Sequence, residues 1–325
     1  MTMMSQKLAQ GLDATLFPAT VEKITPGAQG IHHLSIALAN THFFTPQAGS
    51  HIQIAVVDAK GNPKLNHDSL VNAPGQSQHY HIAVQAEDAG AGGSLFMHRL
   101  KAGDTVYVSA QKNDFMLHEA ASPIVLIAGG IGVTPIYAMA QALKAKGAAY
   151  QLHYSVRSKN KLAFADEMAA LGAQCYIADE GKKLDVSALL SAASADTHFY
   201  FCGPKGLIQA IIDTGERLGI PRARLHFELF GASPQSSDKP VDVMLRQSGK
   251  TITVPAGISI LDALLAEGVD CSFGCKRGEC GACAVDVLEG TPDHRDVVLT
   301  KEEKAAGKMC ICISRAHSPS ITLNK

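Results

Sequence analysis

Alternating apolar and polar residues dominate the first third of the chain. Such alternation places successive side chains on opposite faces of an extended segment and predicts half-buried β-strands. Gly, Pro and Asn interrupt the pattern at regular intervals, which is typical of a small antiparallel β-barrel. A short amphipathic helix is predicted over residues 94–104, before the last strand. The alternating segments are residues 32–39, 50–57, 79–87 and 104–110.

A different pattern begins at residue 123. Residues 123–128 are continuously apolar, as expected for a strand buried on both faces of a parallel sheet. A glycine-rich turn and a helix ending at Lys146 follow, with Thr134 as the predicted N-cap and Pro135 at the first helical position. Free N–H groups at such a helix start suit a pyrophosphate, and glycines let a nucleotide approach the backbone. The glycines of this turn are Gly129, Gly130 and Gly132.

Two further strands are predicted at residues 150–158 and 196–204, and a helix follows the second at 205–219. Alternating strands and helices predict an α/β doubly wound sheet. Such sheets bind ligands outside the carboxyl ends of their strands. The candidate binding residues at those ends are Ser155, Arg157, Cys202, Gly203 and Pro204.

The C-terminal third combines strands, one helix and clustered cysteines. Residues 241–255 predict two strands joined by a tight turn, and residues 259–268 predict a short helix ended by Gly268. Six of the eight cysteines lie within the last 55 residues. The pattern is that of an α+β domain built around a cysteine loop.

Composition narrows the functional classes. A chain of 325 residues is long enough for two or three domains. It is 46% hydrophobic, 18% charged and carries a formal charge of −1, which argues against disorder and gives no overall reason to bind nucleic acid. Neither a signal peptide nor an apolar run of membrane-spanning length is found, so we expect a cytoplasmic protein without membrane contact. We also expect a monomer.

Clustered cysteines in a cytosolic chain indicate metal or redox chemistry rather than disulfides. Cys275, Cys280 and Cys283 have the C-x4-C-x2-C spacing of a [2Fe–2S] ferredoxin loop, which needs a fourth thiolate downstream. Cys310 and Cys312 are both candidates. Structural zinc is the competing interpretation, but it usually requires two short-spaced pairs, and only Cys280 and Cys283 form one.

The strand–strand–helix–cysteine-loop order from about residue 240 resembles a plant-type ferredoxin. That resemblance implies a β-grasp fold, a [2Fe–2S] cluster and Cys312 as the fourth ligand. Cys312 follows Cys283 with C-x28-C spacing and begins the segment "CISRA".

The segments "GGIGVTP" at 129–135 and "FCGP" at 201–204 resemble the nicotinamide domain of the ferredoxin–NADP⁺ reductase superfamily. The resemblance implies that the glycine turn holds the pyrophosphate and that Arg157 contacts the adenosine ribose. It also implies two catalytic positions: Cys202 beside the nicotinamide, and Phe230 reaching back towards a flavin.

The order of barrel, nicotinamide domain and ferredoxin resembles the phthalate dioxygenase reductase family. The segments "GGS" at 92–94 and "NDFML" at 113–117 add to the likeness. It implies FMN rather than FAD, NADH as donor and a Rieske-type oxygenase as acceptor. Aromatic acids are the favoured substrate class, with methoxylated, sulfonated or quaternary-amine substrates as alternatives. The implied domains are 1–118 for flavin, 119–230 for NAD, a linker at 231–239, and 240–325 for the cluster. The implied flavin residues are Asn66, Asp68, Ser69, Leu70, Ala83, Val84, Gly92, Gly93 and Ser94.

The flavin strand departs from the family pattern Arg-x-Tyr-Ser. Asn66 replaces the arginine that holds the FMN phosphate, Asp68 replaces the tyrosine, and Ala91 replaces a second arginine. Each charged hydrogen bond that is lost should weaken the free energy of flavin binding by roughly 1.5–3 kcal/mol. Three interpretations remain: Ser94 and the N–H groups of Gly92 and Gly93 hold the phosphate with a nearby lysine or histidine, flavin binds loosely, or the barrel no longer binds it.

Two alternative functions are compatible with parts of the pattern. The electron-transfer subunit of a dihydroorotate dehydrogenase has a similar barrel and cluster, but its fourth cysteine follows much sooner. A non-catalytic redox sensor would need a readout element, and the sequence offers no basic stretch or DNA-binding helix. Arg157, Lys159 and Lys161 leave NADPH open as the donor, although the resemblance favours NADH.

Overall fold

A computed structural model describes residues 16–39, 44–58, 61–88, 92–118, 122–230 and 238–325. The chain divides into two compact units, Met1–Glu228 and Leu229–Lys325. Ala91 and most of the predicted linker lie outside the described residues. The predicted boundaries at residues 118 and 239 therefore remain predictions.

The first unit begins with a six-stranded antiparallel sheet of order β4-β3-β6-β1-β2-β5. A bridge between Leu70, just after β4, and Ile82 on β5 joins the two edge strands, so the sheet curls as the barrel prediction requires. Its strands are β1 Leu16–Pro26, β2 Ile31–Ala37, β3 His51–Val57, β4 Pro63–Ser69, β5 His79–Gln85 and β6 Thr105–Ser109.

The barrel core depends on one face of β3 and on the helix α1, Gly93–Arg99. Ile52, Ile54 and Val56 are fully buried, and Met97 of α1 packs in the same cluster. Complete burial of such a side chain contributes about 1.5–3 kcal/mol. The predicted short helix is confirmed and packs against the sheet, but it ends at Arg99 rather than at residue 104.

The remainder of the first unit contains the sheet of order β11-β10-β7-β8-β9, in which β10, β7, β8 and β9 are parallel. Its strands are β7 Ile124–Gly129, β8 Tyr150–Val156, β9 Gln174–Ile177, β10 His198–Gly203 and β11 Leu225–Leu229. Its helices are α2 Val133–Ala145, α3 Ala165–Ala170, α4 Val186–Ser191 and α5 Lys205–Arg217.

The central strand β7 is buried at all six positions, as its continuous apolar sequence predicts. It pairs with β8 on one side and β10 on the other. Strands β8 and β9 are therefore added on one side of β7, and β10 and β11 on the opposite side. The carboxyl ends of β7 and β10 therefore flank the switch point, where open α/β sheets bind ligands.

The second unit contains a mixed sheet of order β13-β12-β18-β14-β16, with β12 parallel to β18. The predicted hairpin and helix are confirmed, and Ser259 caps the helix by accepting the N–H of Asp262 (2.9 Å). The strands are β12 Val241–Leu245, β13 Thr251–Val254, β14 Ala284–Glu289, β15 Pro292–Asp293, β16 Lys308–Cys310, β17 Arg315–Ala316 and β18 Ser320–Leu323. The helices are α6 Ile260–Ala266 and α7 Lys301–Ala305.

None of the helices within the described ranges has both the length and the apolar character needed to cross a bilayer.

Candidate functional site

Four cysteines lie on the loop between α6 and β14 of the second unit, and three of them, Cys275, Cys280 and Cys283, are predicted cluster ligands. The loop contains left-handed residues, among them Lys276 (φ 55°), Gly278 (φ 74°) and Gly281 (φ 75°). A Cβ at Gly278 would also lie 2.8 Å from Ile313 and 3.1 Å from Asp296. Glycine is therefore required there both by the backbone angle and by the lack of space.

Backbone N–H groups of this loop point at cysteine sulfur. The N–H of Arg277 donates to Sγ of Cys275 (3.3 Å), and the N–H of Cys275 donates to Sγ of Cys280 (3.4 Å). Such bonds stabilise thiolate ligands and tune the potential of an iron–sulfur cluster. The donors at Cys275 and Cys280 are of the kind that thiolate ligands of a [2Fe–2S] cluster need, although the described residues do not assemble three or more metal-binding side chains at one point.

Cys310 and Cys312 both approach Cys283. Hydrogen bonds from these two thiols lower the pKa of Cys283. The bond with Cys283, together with burial, raises the pKa of Cys312, while the N–H of Gly278 acts in the opposite direction by donating to Cys312. Cys310 ends β16, opposite Ala284. The contact with loop residue Gly278 favours Cys312 as the fourth ligand.

Asp296 is a buried residue of this region that the sequence analysis missed. Its carboxylate is 0% exposed, accepts the N–H of Leu299 (3.1 Å) and pairs with Lys304 (3.3 Å). The N–H of its neighbour Val297 donates to the carbonyl of Gly278 (3.2 Å). This segment therefore supports the cysteine loop, a role set by tertiary contacts that no local motif indicates.

The predicted nucleotide residues meet at one edge of the parallel sheet. Gly129 at the end of β7 pairs with Ser155 on β8, and Ala128 pairs with Cys202 on β10. Pro204 follows β10 and is exposed. The structure thus brings the glycine turn and the Cys-Gly-Pro segment together, as predicted.

The glycines of the turn serve different purposes. A Cβ at Gly132 would lie closer than 3.0 Å to backbone atoms of Cys202 and Gly203, and one at Gly129 would meet Pro204 at 2.8 Å. These two glycines are needed for packing within the fold. Gly130 has a left-handed backbone (φ 53°), and nothing lies within 4 Å of its missing Cβ.

The predicted helix cap is wrong. A 3₁₀ turn at Gly130–Gly132 runs directly into α2, so the helix begins at Val133 and Gly132 precedes it without a side-chain cap. Thr134 is buried inside the first turn, where its hydroxyl donates to the carbonyl of Ile131 (3.1 Å). Pro135 is consequently the third helical residue rather than the first.

Tyr154 fixes the glycine turn from the neighbouring strand. Its hydroxyl donates to the carbonyl of Gly130 (3.2 Å) and accepts the N–H of Ala163 (3.2 Å). The residue is fully buried, and burial raises its pKa. The sequence did not indicate this role, because a tyrosine two residues after the buried Leu152 is also expected for an ordinary core position of a strand.

The basic residues after β8 differ in their availability. Arg157 is exposed at the carboxyl edge of the sheet, as expected for a group that contacts a nucleotide ribose. Lys161 donates to the carbonyl of Gln29 (3.1 Å), so it has a structural partner. Because Lys161 is already engaged, a site for the 2′-phosphate of NADPH formed jointly by Arg157, Lys159 and Lys161 is less favoured.

The two predicted catalytic residues have different surroundings. The side chain of Cys202 is fully buried at the end of β10. Phe230 follows β11, is half-buried and belongs to the second unit. The adjacent Leu229 donates its N–H to Glu279, within the cysteine loop.

The predicted flavin residues lie along β4, β5 and α1. Asn66 and Asp68 share one face of β4, and the side chain of Asn66 fills the space that a Cβ at Gly93 would need. Ser94 accepts the N–H of Glu87 (3.0 Å) while keeping a hydroxyl hydrogen to donate. Gly92 precedes α1 with a left-handed backbone (φ 92°).

Ser69, Leu70, Ala83 and Val84 lie at the seam where the edge strands meet. Ser69 donates to a carboxylate oxygen of Glu228 on β11 (3.4 Å), and Glu228 is only 2% exposed. This acid is a second site residue that the sequence analysis missed. An acid in a buried strand can be noticed from sequence, but its partner 159 residues away cannot.

Comparisons with known proteins agree with this geometry. The family described as the 2Fe-2S iron-sulfur cluster binding domain matches residues 243–317, which include all four predicted ligands. The chain is 40% identical over 262 residues to the phenoxybenzoate dioxygenase subunit beta of Ectopseudomonas oleovorans, covering 79% of this chain and 82% of that one.

Two longer matches span nearly the whole molecule. The chain is 36% identical over 312 residues to a vanillate O-demethylase oxidoreductase of a Pseudomonas species, covering 91% of this chain and 96% of that one. A solved phthalate dioxygenase reductase superposes with a TM-score of 0.74 at 30% identity, covering 95% of this chain and 98% of that one. That structure is described as a modular one for electron transfer from pyridine nucleotides to [2Fe–2S]. The chain therefore belongs to the phthalate dioxygenase reductase family of NADH-dependent flavin and iron–sulfur oxidoreductases.

Proposed function

We propose that this protein is the reductase component of a Rieske-type oxygenase system, taking electrons from NADH and delivering them to the oxygenase. The observation that carries the proposal is the joint presence of a [2Fe–2S] loop and a nucleotide edge in one chain. The relatives named above are components of dioxygenase and demethylase systems, which supports an oxygenase as the acceptor. Plant-type clusters lie near about −400 mV and Rieske centres at about −150 mV or above, so the transfer is downhill.

A bound flavin supplies the conversion between the two-electron chemistry of a nicotinamide and the one-electron chemistry of a [2Fe–2S] cluster. The protein's own residues bind and orient the groups involved. We assign the pyrophosphate to the turn at Gly129, Gly130 and Gly132, where the open space beside the left-handed Gly130 lets an anion approach the backbone at the start of α2. Thr134 and Pro135 hold the first turn of that helix.

The remaining nucleotide contacts follow the sheet edge. Ser155 and Arg157 are assigned to the adenosine ribose, because both lie at the carboxyl end of β8. Cys202, Gly203 and Pro204 are assigned to the nicotinamide. Their support is the close packing of β10 against the glycine turn.

The flavin is assigned to the face formed by β4, β5 and α1. Glu228 orients the Ser69 hydroxyl at the barrel seam, next to Leu70, Ala83 and Val84. Phe230 is assigned to the flavin on resemblance alone. In the second unit, Cys275, Cys280, Cys283 and Cys312 are assigned as cluster ligands, supported by the N–H groups that the loop directs at their sulfurs.

We further propose three domains, 1–118, 119–230 and 240–325 with a linker at 231–239, in a cytoplasmic monomer. The barrel and the second unit each contain their own hydrophobic core, which supports the outer domains. None of the eight cysteines, all of which lie in the described ranges, forms a disulfide, which is compatible with a reducing compartment.

An anaerobic visible titration of the purified protein with NADH tests the proposal. Flavin and cluster absorption should bleach together, and chromatography of the released flavin should identify FMN. Rapid NADH-dependent reduction of an added oxygenase should follow. A cluster that NADH cannot reduce, even after FMN is added, would refute the reductase function.

A further inference from the structure

One face of β4 carries polar side chains where the fold provides apolar neighbours. Directly opposed residues of antiparallel strands share a face. The three β3 residues opposite this row are all 0% exposed and belong to the barrel core. Barrel folding alone gives no reason for a polar row at this place. The opposed pairs are Lys64 with Val56, Asn66 with Ile54, and Asp68 with Ile52.

The carboxyl group of the half-buried Asp68 forms one end of the row, and one of its two oxygens lacks a partner. Its Oδ2 atom is enclosed and makes no hydrogen bond to any residue that the structure describes. Burial raises the pKa of Asp68 to about 7. A buried acceptor without a donor is costly, at about 1–3 kcal/mol. A ligand that brings a hydroxyl or N–H group to this position would remove that cost.

The amine of Lys64 forms the other end. The residue is half-buried, and burial lowers its pKa, while the charge of Asp58 acts in the opposite direction. Among the described ranges, Lys64 makes neither a hydrogen bond nor an ion pair. A desolvated cation beside an apolar core is stabilised by an incoming anion.

Asn66 lies between the two and faces Gly93. The row therefore runs from cation to amide to carboxyl over about 13 Å, given a rise of about 3.3 Å per residue. FMN has a matching polarity, with an anionic phosphate at one end, a chain of hydroxyl groups, and then the flavin ring.

We propose that this row recognises FMN in this chain: Lys64 binds the phosphate, and Asp68 hydrogen-bonds a ribityl hydroxyl. The inference rests on the proposed flavin function and deepens it. Lys64 would supply the cation that β4 otherwise lacks, because Asn66 stands where the family pattern has the arginine that holds the FMN phosphate. The charge of Lys64 also sets the direction of the ligand, because it would attract the phosphate to its own end of the row, away from the carboxyl group of Asp68.

Binding of three flavins to the full-length apoprotein, with its cluster intact, tests the proposal. The probes are FMN, riboflavin, which lacks the phosphate, and lumiflavin, which lacks both phosphate and ribityl chain. Ultrafiltration separates free from bound flavin and measures each Kd without relying on the visible range, where the cluster also absorbs. Each variant is thus compared across ligands that differ by one chemical group.

Lys64→Met should raise the Kd for FMN by about tenfold or more, the loss expected for one charge-assisted hydrogen bond, and leave the Kd for riboflavin unchanged. Lys64→Arg should retain FMN binding. Lys101→Met, in an exposed turn after α1, is the matched control and should bind all three flavins like the native protein.

Asp68→Ala should weaken FMN and riboflavin by a similar factor and leave lumiflavin unchanged. Asp68→Asn keeps a group that can accept from the hydroxyl and should bind FMN better than Asp68→Ala does. If Lys64→Met affected FMN and riboflavin equally, or neither, Lys64 would not be the phosphate ligand. If Asp68→Ala weakened lumiflavin as well, the ribityl assignment would be overturned.

The native protein alone also decides the question if a variant fails to fold. A tighter Kd for FMN than for riboflavin, with the difference shrinking at high salt, supports a phosphate cation. Equal affinities would overturn the role of Lys64 while leaving the flavin function intact. If no flavin bound at all, the proposed flavin function itself would fail.

Discussion

The carbonyl group of Cys202 lies in the space that a β-carbon on Gly132 would require. Gly132→Ala therefore forces backbone atoms of β10 and the glycine turn apart. We expect a loss of about 1–3 kcal/mol in the free energy of unfolding, the range typical of overpacking. Thermal or denaturant unfolding of the flavin-loaded protein measures it. A variant as stable as the native protein would show that the turn can move away from β10 at little cost.

A side chain at Gly130 would not clash with the fold as one at Gly132 would, because nothing lies within 4 Å of its missing Cβ. Gly130→Leu places a side chain in the space assigned to the pyrophosphate, and its left-handed backbone adds about 1–2 kcal/mol of strain. We expect the KM for NADH to rise by about tenfold or more, the effect of losing about 1.4 kcal/mol of binding. The visible spectrum of the cluster should stay unchanged.

Gly130→Ala is the matched control, since it introduces similar strain but little bulk. Its KM for NADH should lie between those of the native protein and Gly130→Leu. An unchanged KM in both variants would move the pyrophosphate away from this turn.

Cys312 and Cys310 can be separated by serine substitution. Cys312→Ser should abolish the visible absorption of the [2Fe–2S] cluster, because it removes the thiol that receives the N–H of loop residue Gly278. Cys310→Ser should retain the absorption, since Cys310 closes β16 opposite Ala284 and the family resemblance places the fourth ligand at Cys312. Iron content and the visible spectrum measure both. Loss of the cluster in Cys310→Ser with retention in Cys312→Ser would reverse the ligand assignment.

Sequence patterns predicted the elements whose burial is uniform or strictly periodic. The β7 segment is apolar throughout and fully buried, so its position at the centre of the sheet could be expected. The hairpin β12–β13 and the Ser259-capped helix likewise follow from local residues. The strand β1 was not singled out, because its fully buried positions are only Ala19 and Val21.

The site residues that were missed depend on distant contacts. Glu228 is a site residue because it accepts a hydrogen bond from Ser69. Asp296 is one because its neighbour Val297 donates to the carbonyl of Gly278 in the cysteine loop. The cap at Thr134 was misplaced because the preceding glycines form a 3₁₀ turn that continues into the helix. Such outcomes are decided by packing of the turn against β10, and no local propensity encodes that packing.

The buried carboxyl of Asp68 should make the stability of the flavin-free protein depend on pH. Its pKa in the folded state is raised to about 7 from an ordinary value of 3.8. Below the lower value both states are protonated; between the two values the unfolded chain ionises first, so stability falls as pH rises and then levels off above about 7. Each pKa unit corresponds to about 1.4 kcal/mol, so the loss is at most about 4 kcal/mol.

Asp68→Asn removes this ionisation and should be more stable than the native protein at about pH 8, with the difference shrinking as the pH falls towards about 5. Denaturant unfolding of the apoprotein across that range measures the difference. Asp88→Asn, at an exposed site, is the matched control. The residue directly opposite Asp68 on β3, Ile52, does not titrate. A stability difference that is the same at every pH would mean that Asp68 ionises as readily in the folded barrel as in the unfolded chain.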